Sequence, residues 1–318
     1  MVKILMATYN GEKYLSGQID SLLAQTVTDF SILIADDGSS DGTWDIISHY
    51  ISKFPDKISA FRKRENSGGS KYNFLDLMAG DHADLIKANQ IKSNYYMLCD
   101  QDDIWQPDKI EKTLAKMKEL ETKSGIDLPI LIHTDLQVVD PDLKVISPSY
   151  KRAMNSNFNR TALHQVIIQN ILTGCTAMYN QPLARLLIRK PKYCIMHDWW
   201  LLLVAAAFGK VSHINDATIL YRQHDKNEIG AKDVRKFSYK MNRLIHGGQV
   251  RQAIFNTFLQ AESFLDTYND MLTPKQKDII EKYCAIPLMG KLKRWHTIYN
   301  LKSYKNGFSR NIAYFIFV

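Results

Sequence analysis

Three carboxylates lie within four residues in Asp100-Gln101-Asp102-Asp103, directly after the apolar run Tyr95-Tyr96-Met97-Leu98-Cys99. The run is short and mixes aromatic and aliphatic side chains, which predicts a buried strand. Acids set at the end of such a strand face the region where open α/β sheets take their ligands. An Asp-x-Asp spacing also suits a hard divalent cation, Mg²⁺ or Mn²⁺, held by carboxylate oxygens and shared with the phosphates of a nucleotide. The same residues equally fit a solvated turn in which Asp103 caps the helix that follows, since short acidic motifs are common.

The elements needed to position these acids are visible upstream. Lys3–Ala7 predicts a strand that runs into the polar turn Thr8-Tyr9-Asn10-Gly11. A helical segment with Tyr14, Ile19, Leu22 and Leu23 follows, then a second strand over Phe30–Ala35. That strand ends in another acidic turn, Asp36-Asp37-Gly38-Ser39-Ser40-Asp41-Gly42-Thr43. Strand, helix, strand, acidic turn and helix make a βαβ pattern with a parallel sheet, and a right-handed crossover puts the strand ends on one edge. Asp36 and Asp41 also suit a purely local role, holding the turn through side-chain bonds to its backbone. Gly38 and Gly42 are expected for their backbone conformation. Asn66-Ser67-Gly68-Gly69-Ser70-Lys71 reads as a polar loop whose Lys71 is placed to meet a phosphate.

Ala7-Thr8-Tyr9-Asn10, the Asp36–Thr43 turn, Asn66-Ser67-Gly68-Gly69, Asp100-Gln101-Asp102-Asp103-Ile104-Trp105 and His197-Asp198-Trp199-Trp200 follow one another in an order and spacing that resembles the glycosyltransferase family 2 enzymes. The resemblance extends over residues 1 to about 230. Within that family, Asp-Gln-Asp-Asp-Ile-Trp, His133-Thr134-Asp135-Leu136 and Tyr221-Arg222-Gln223-His224 are similar to the rhamnosyltransferases of bacterial rhamnose-polysaccharide assembly. The resemblance implies a GT-A fold: an α/β nucleotide-sugar-binding domain with a mixed, mainly parallel sheet, here followed by a helical C-terminal extension. It implies inverting transfer with Asp198 as base and Mn²⁺ or Mg²⁺ as cofactor. Asp102 is then the expected metal ligand, with Asp100 turned to the ribose or supporting the metal shell and Gln101 grouped with the donor site. His224 matches a position that reaches the metal or diphosphate, although a surface histidine fits the sequence as well. Asp37 matches the acceptor of a pyrimidine N3–H, Tyr9 the residue beside the base, and Ala7 a strand end whose backbone meets it. Thr173-Gly174-Cys175-Thr176 matches the acceptor-side loop. Trp199 and Trp200 suit stacking on sugar rings, with helical spacing sending one of them to the core.

Asp198 itself opens an apolar helix between His197 and two indoles. Burial raises a carboxylate pKa and a helix N-terminus lowers it, and Asp is also a favoured cap. The donor implied by the resemblance is dTDP-β-L-rhamnose, giving an α-linked product on a lipid-linked or oligosaccharide acceptor. A UDP-hexose donor is the alternative, because uracil and thymine present the same N3–H. A non-catalytic nucleotide-sugar-binding module is an alternative of another class. No Gly-x-Gly-x-x-Gly follows the first strand, which disfavours a dinucleotide oxidoreductase.

The 318 residues, 45% hydrophobic and 23% charged, suffice for a large core and about two domains. We expect a catalytic domain over 1–231, divided into a nucleotide half (1–105) and an acceptor half (106–231), and a helical region over 232–318. In the acceptor half, helices are expected over Lys109–Lys123, Thr161–Leu172 and Asp198–Phe208. Strands are expected at Leu128–His133, Gly174–Tyr179, Val211–Ile214 and Thr218–Tyr221. A turn region is expected over Asp135–Asp140, in which Val138-Val139-Asp140 could pair across. The C-terminal region is expected to be helical over Gln249–Tyr268 and Lys275–Tyr283. Four cysteines without Cys-x-x-Cys spacing are not a disulfide framework and fit a reducing cytoplasm. The N-terminus has no signal-peptide pattern, and the longest apolar run, Trp199–Phe208, is ten residues, about half a membrane span.

Charge is uneven. Residues 1–231 hold 26 Lys and Arg against 27 Asp and Glu, whereas residues 232–318 hold 15 against 6. Basic residues interleaved with Trp295, Tyr299, Tyr304, Phe308, Tyr314, Phe315 and Phe317 suit peripheral contact with an anionic membrane. The expected place is the inner face of the cell membrane. Packing on the catalytic domain or pairing of two subunits into a homo-oligomer is the other reading of this region, and no nucleic-acid partner is expected.

Overall fold

The computed structural model describes residues 1–80, 94–224 and 247–318. The chain divides into two compact units: residues 1–150, 172–188 and 209–230 in the first, residues 151–171, 189–208 and 231–318 in the second.

The first unit is built on one sheet. Its strands are β1 (Val2–Thr8), β2 (Phe30–Asp36), β3 (Ile58–Arg62), β4 (Tyr95–Cys99), β5 (Ile104–Trp105), β6 (Ile130–Val139), β7 (Val145–Ser147), β8 (Ala177–Asn180) and β9 (Lys210–Arg222). The order is β3-β2-β1-β4-β8-β6-β9-β5, with β7 on β6. β1, β2, β3 and β4 run parallel. Such strands are covered on both faces, and β1 and β2 accordingly read as near-continuous apolar runs that are buried almost throughout. After β1 the chain builds β2 and β3 on one side and then crosses to place β4 on the other. The reversal puts a switch point between the carboxyl ends of β1 and β4, where sheets of this type take ligands.

β8 returns antiparallel between β4 and β6, and β9 runs parallel to β6. β5 pairs antiparallel with β9, four steps along the sheet from β4. Five residues from Cys99 to Ile104 reach at most roughly 17 Å. Four strand spacings in a flat sheet are roughly 19 Å. The sheet therefore curls, and the Asp100–Asp103 turn bridges the curl. The helix Lys109–Ser124 buries Ile110, Met117 and Leu120 of its apolar stripe together with Thr113, while Leu114 stays half-buried.

Several boundaries differ from expectation. β6 continues through Asp135 instead of turning there, because Leu136 N–H and the Ser149 hydroxyl both donate to the buried Asp135 carboxylate. Val138 and Val139 pair with β7. β9 is one strand across Asn215-Asp216, accommodated by register shifts rather than a break. Gly174–Thr176 is a 3-10 turn, and the strand begins only at Ala177.

The second unit is helical, with helices His197–Phe208, Gly247–Tyr268, Pro274–Cys284, Lys291–Leu301 and Phe308–Phe317. Trp200 packs edge-on to Phe264 with ring centroids 5.4 Å apart, and Tyr283 lies 4.9 Å from Phe258. Pro274–Cys284 starts in a full capping box between Thr273 and Gln276. Only Leu163–Val166 of the expected 161–172 helix forms. The Val166 carbonyl, which a longer helix would use internally, accepts from the Trp199 indole N–H at 2.7 Å. Among the described residues, no helix is long and apolar enough to cross a membrane.

Candidate active site

At the switch point the turns after β1 and β4 are clasped by reciprocal bonds. Gln101 accepts from Tyr9 N–H through Oε1 at 2.8 Å and donates through Nε2 to the Tyr9 carbonyl at 3.0 Å. The amide thus locks the end of β1 to the turn after β4. Gly11 leaves room for it, since a Cβ there would sit 2.3 Å from Gln101 Oε1. The Gln101 amide, expected in the donor site, is engaged with backbone. Asn10, in the left-handed region at φ 49°, donates from its backbone to Ser39 and accepts from Ser40 N–H at 2.8 Å. Tyr9 itself is half-exposed and Ala7 is buried beside Ala35.

The Asp36-Asp37 turn is densely hydrogen-bonded. Asp36 is fully buried; it accepts from Thr8, from Ser39 N–H and from the Ser39 hydroxyl, with the Arg62 guanidinium 3.4 Å away. Asp37 accepts from Ser67 N–H on both oxygens and from the Ser67 hydroxyl at 2.8 Å, with Lys63 Nζ at 3.6 Å. A carboxylate has about four acceptor positions, so Asp37 keeps limited capacity for a further donor. Asp41 bonds Thr43 and Glu12 backbone; burial opposes its charge, and these donors outweigh it and lower its pKa. Gly38 uses a positive φ of 79°, but Gly42 does not: a Cβ there would meet the Glu12 carboxylate at 2.8 Å. The need at Gly42 is space. Lys71 stands in the first turn of the helix Ser70–Ala79, its Nζ 4.4 Å from the Tyr72 ring centroid.

The Asp100–Asp103 turn is different. Asp102 Oδ2 lies 2.8 Å from His224 Nε2, and both side chains remain partly exposed at 16% and 14%. His224 stacks on Tyr14 with centroids 5.0 Å apart, so it is a positioned imidazole. Arg222, to which no role was assigned from sequence, organises the place. It is buried, donates Nε to the Asp102 carbonyl at 2.9 Å, bonds Pro141 O, and lies over the Tyr14 ring at 4.5 Å. Its backbone N–H donates to Asp103 Oδ1 at 3.1 Å. Burial, then repulsion from Asp102 and Asp100, pushes the Asp103 carboxyl well above the usual carboxylate range.

Two donor sets could take a cation. The His224 imidazole and the Asp102 carboxylate converge and are reachable, and N/O donors suit Mn²⁺ or Mg²⁺. Ligand atoms of Asp100, Asp103 and Cys175 also lie within 4.8 Å of one another. That second set lies in the field of the fully buried Lys109, whose pKa burial lowers to about 8 and which therefore stays mostly cationic at neutral pH. A positive neighbour opposes a second cation, so the first set is the better fit. Gly174 is buried in the turn that carries Cys175.

In the second unit Asp198 is buried in the first turn of its helix. Its Oδ1 accepts from Asn170 Nδ2 at 3.2 Å and from Trp199 N–H at 2.6 Å. Trp199 is half-buried, whereas Trp200 lies in the core between Phe264 and Tyr268. Trp200 is therefore the core member of the pair. His197 is buried, and loss of solvent pushes its pKa down to about 3, so it is neutral at ordinary pH.

A family model, Glycosyl transferase family 2, matches residues 3–181. The chain belongs to glycosyl transferase family 2. It is 28% identical over 262 residues to the dTDP-rhamnosyl transferase RfbG of Shigella flexneri, covering 78% of this chain and 82% of that protein. It is 31% identical over 119 residues to the putative teichuronic acid biosynthesis glycosyltransferase TuaG of Bacillus subtilis, covering 37% of this chain and 42% of the relative. Among solved structures, S. aureus TarS 1-349 in complex with UDP-GlcNAc superposes with a TM-score of 0.56 at 16% identity, covering 94% of this chain and 79% of that one. That likeness shows the GT-A fold with its helical C-terminal part. The chain is a glycosyltransferase of this fold.

Proposed function

We propose that this glycosyltransferase transfers L-rhamnose from dTDP-β-L-rhamnose, with inversion, to a lipid-linked or oligosaccharide acceptor in cell-surface polysaccharide synthesis. The similarity to RfbG over four-fifths of both chains carries the choice of sugar. The convergence of Asp102 and His224 beside the switch point supports divalent-metal dependence. When bound, Mn²⁺ or Mg²⁺ supplies positive charge to the departing diphosphate.

The chain's own residues do the rest. Asp102 and His224 hold the cation, and Asp100 lies beside the ribose or supports that shell. Asp37, Tyr9 and Ala7 receive the pyrimidine, with Lys71 near the phosphates. The Asp198 carboxylate takes the proton from the acceptor hydroxyl. The acceptor oxygen then bonds the anomeric carbon as its bond to the diphosphate breaks, and nucleoside diphosphate departs. One displacement turns the β-linked donor into an α-linked product. Gly174 and Trp199 belong to the acceptor side, and the chain meets the membrane peripherally through its basic C-terminal region.

Asp198→Asn tests the base. We expect transfer to fall by at least about 10³-fold while donor affinity stays within a factor of about three. Parallel loss of donor binding, or an intact rate, would reject Asp198 as the base. A β-linked product by NMR would reject inversion.

A further inference from the structure

The last two helices expose what a packed helix hides. Ile298 of Lys291–Leu301 and Ala313 and Tyr314 of Phe308–Phe317 are buried. On exposed positions of the first helix and the turn before it stand Leu288, Leu292, Trp295 and Tyr299, spaced four, three and four residues apart. On the second stand Phe308, Ile312 and Ile316, each four apart. Leu292, Trp295 and Tyr299 form one helical stripe and Phe308, Ile312 and Ile316 another, while Leu288 stands in the separate 3-10 turn before the first helix. Leu288, Leu292, Tyr299 and Phe308 are 90, 79, 69 and 83% exposed, far beyond a scattered surface leucine.

The stripes meet. The Trp295 indole N–H donates to the Phe315 carbonyl at 2.9 Å, and the two rings lie 6.2 Å apart, next to Ile316. Cations surround them: Lys291, Lys293 and Lys302 are exposed, and Lys291 Nζ sits 5.5 Å from the Trp295 ring centroid. Residues 285–318 contain six Lys and Arg and no Asp or Glu.

We propose that this two-helix face is the membrane-docking surface, seating on an anionic lipid bilayer. Leu288, Leu292, Phe308, Ile312 and Ile316 enter the acyl boundary, Trp295 and Tyr299 lie at headgroup depth, and the lysines meet lipid phosphates. A second copy fits less well, because a self-complementary pairing would press together two surfaces that each carry exposed Lys291, Lys293 and Lys302 and no Asp or Glu from residues 285–318. The proposal rests on the peripheral-membrane part of the function proposed above and names the residues that perform it.

The test is flotation of the full chain with phosphatidylcholine vesicles and with vesicles that also contain phosphatidylglycerol, without donor or acceptor. The unmodified protein should float with the anionic vesicles and not with the neutral ones. Combining Leu288→Glu, Leu292→Glu and Phe308→Glu should cut partitioning at least about tenfold. Lys291→Glu with Lys293→Glu should cut it by more than about fivefold per residue and flatten its dependence on salt. All these positions are exposed, and unchanged circular dichroism and dTDP-rhamnose affinity would verify each variant's fold. Failure of the unmodified protein to float, or flotation of both variants like the parent, would overturn the proposal. So would a parent dimer that the substitutions dissociate without changing flotation, which would assign the face to a second copy. Flotation without binding of any nucleotide sugar would leave this surface standing and overturn the donor reading instead.

Discussion

Two acidic turns end the strands that flank β1 in one sheet, and they do different work. The Asp36-Asp37 turn after β2 is filled by its surroundings: Thr8, Ser39, Ser67, Arg62 and Lys63 all engage its carboxylates. The Asp100–Asp103 turn after β4 is held by the Gln101 side chain on the Tyr9 backbone and by Arg222 on the Asp102 carbonyl, and presents Asp102 beside His224. Acid content does not separate the two turns; the availability of lone pairs does. Asp36, whose acceptors are consumed by local donors, builds its turn; Asp37 keeps part of its capacity, and Asp102, supported from behind, can meet a ligand.

Substitutions break this comparison in graded fashion. Asp102→Asn should reduce turnover by at least about 10²-fold with little change in stability, because it removes charge from a partly exposed position. Turnover rates and denaturant midpoints measured together distinguish that from unfolding. Asp36→Asn should do the converse at the other turn. It leaves buried donors facing an amide and should cost on the order of 2–3 kcal/mol in urea unfolding, with activity lost only as the fold is lost. Equal catalytic losses without unfolding in both variants would erase the distinction. Gly11→Ala should push on the Gln101 amide and cost about 1–3 kcal/mol, with part of the loss relieved by Gln101→Ala.

The smallest effect lies in the second unit and is read with pH. His197 has a folded pKa of about 3 against an ordinary 6.5. Between those values the unfolded chain binds the extra proton, so its contribution to stability is present above pH 6.5 and is lost as pH falls towards 3. His197→Gln should flatten the acid limb of the stability curve by a kcal/mol or more. An unchanged limb would mean that His197 keeps its proton in the folded state.

Much of this was legible from residue order. The strand over Tyr95–Cys99 and the helices near Lys109–Lys123 and Asp198–Phe208 form where their apolar spacing places them. The family and the GT-A fold also followed from several motifs in sequence. What sequence hid depends on partners far away along the chain. Arg222 touches the Asp100–Asp103 turn across 120 residues, and Gln101 reaches Tyr9 across 92. β6 reads as a strand and a turn because Asp135 looks too polar for a core, until Ser149 supplies its hydrogen bond. The expected helix at 161–172 ends at Val166, whose carbonyl accepts from Gln169 N–H and from the distant Trp199 indole. In each case a long-range polar contact accompanies the departure from a local pattern.

The most direct measurement is donor turnover by the purified full chain, with Mn²⁺, with Mg²⁺ and with chelator, on dTDP-rhamnose and UDP-GlcNAc, with an acceptor lipid extract supplied. The account predicts metal-dependent consumption of dTDP-rhamnose, abolished in Asp102→Asn and retained in proportion to folded protein in Asp36→Asn. Preference for UDP-GlcNAc would contradict the choice of rhamnose, and full activity in chelator would contradict the role given to Asp102 and His224.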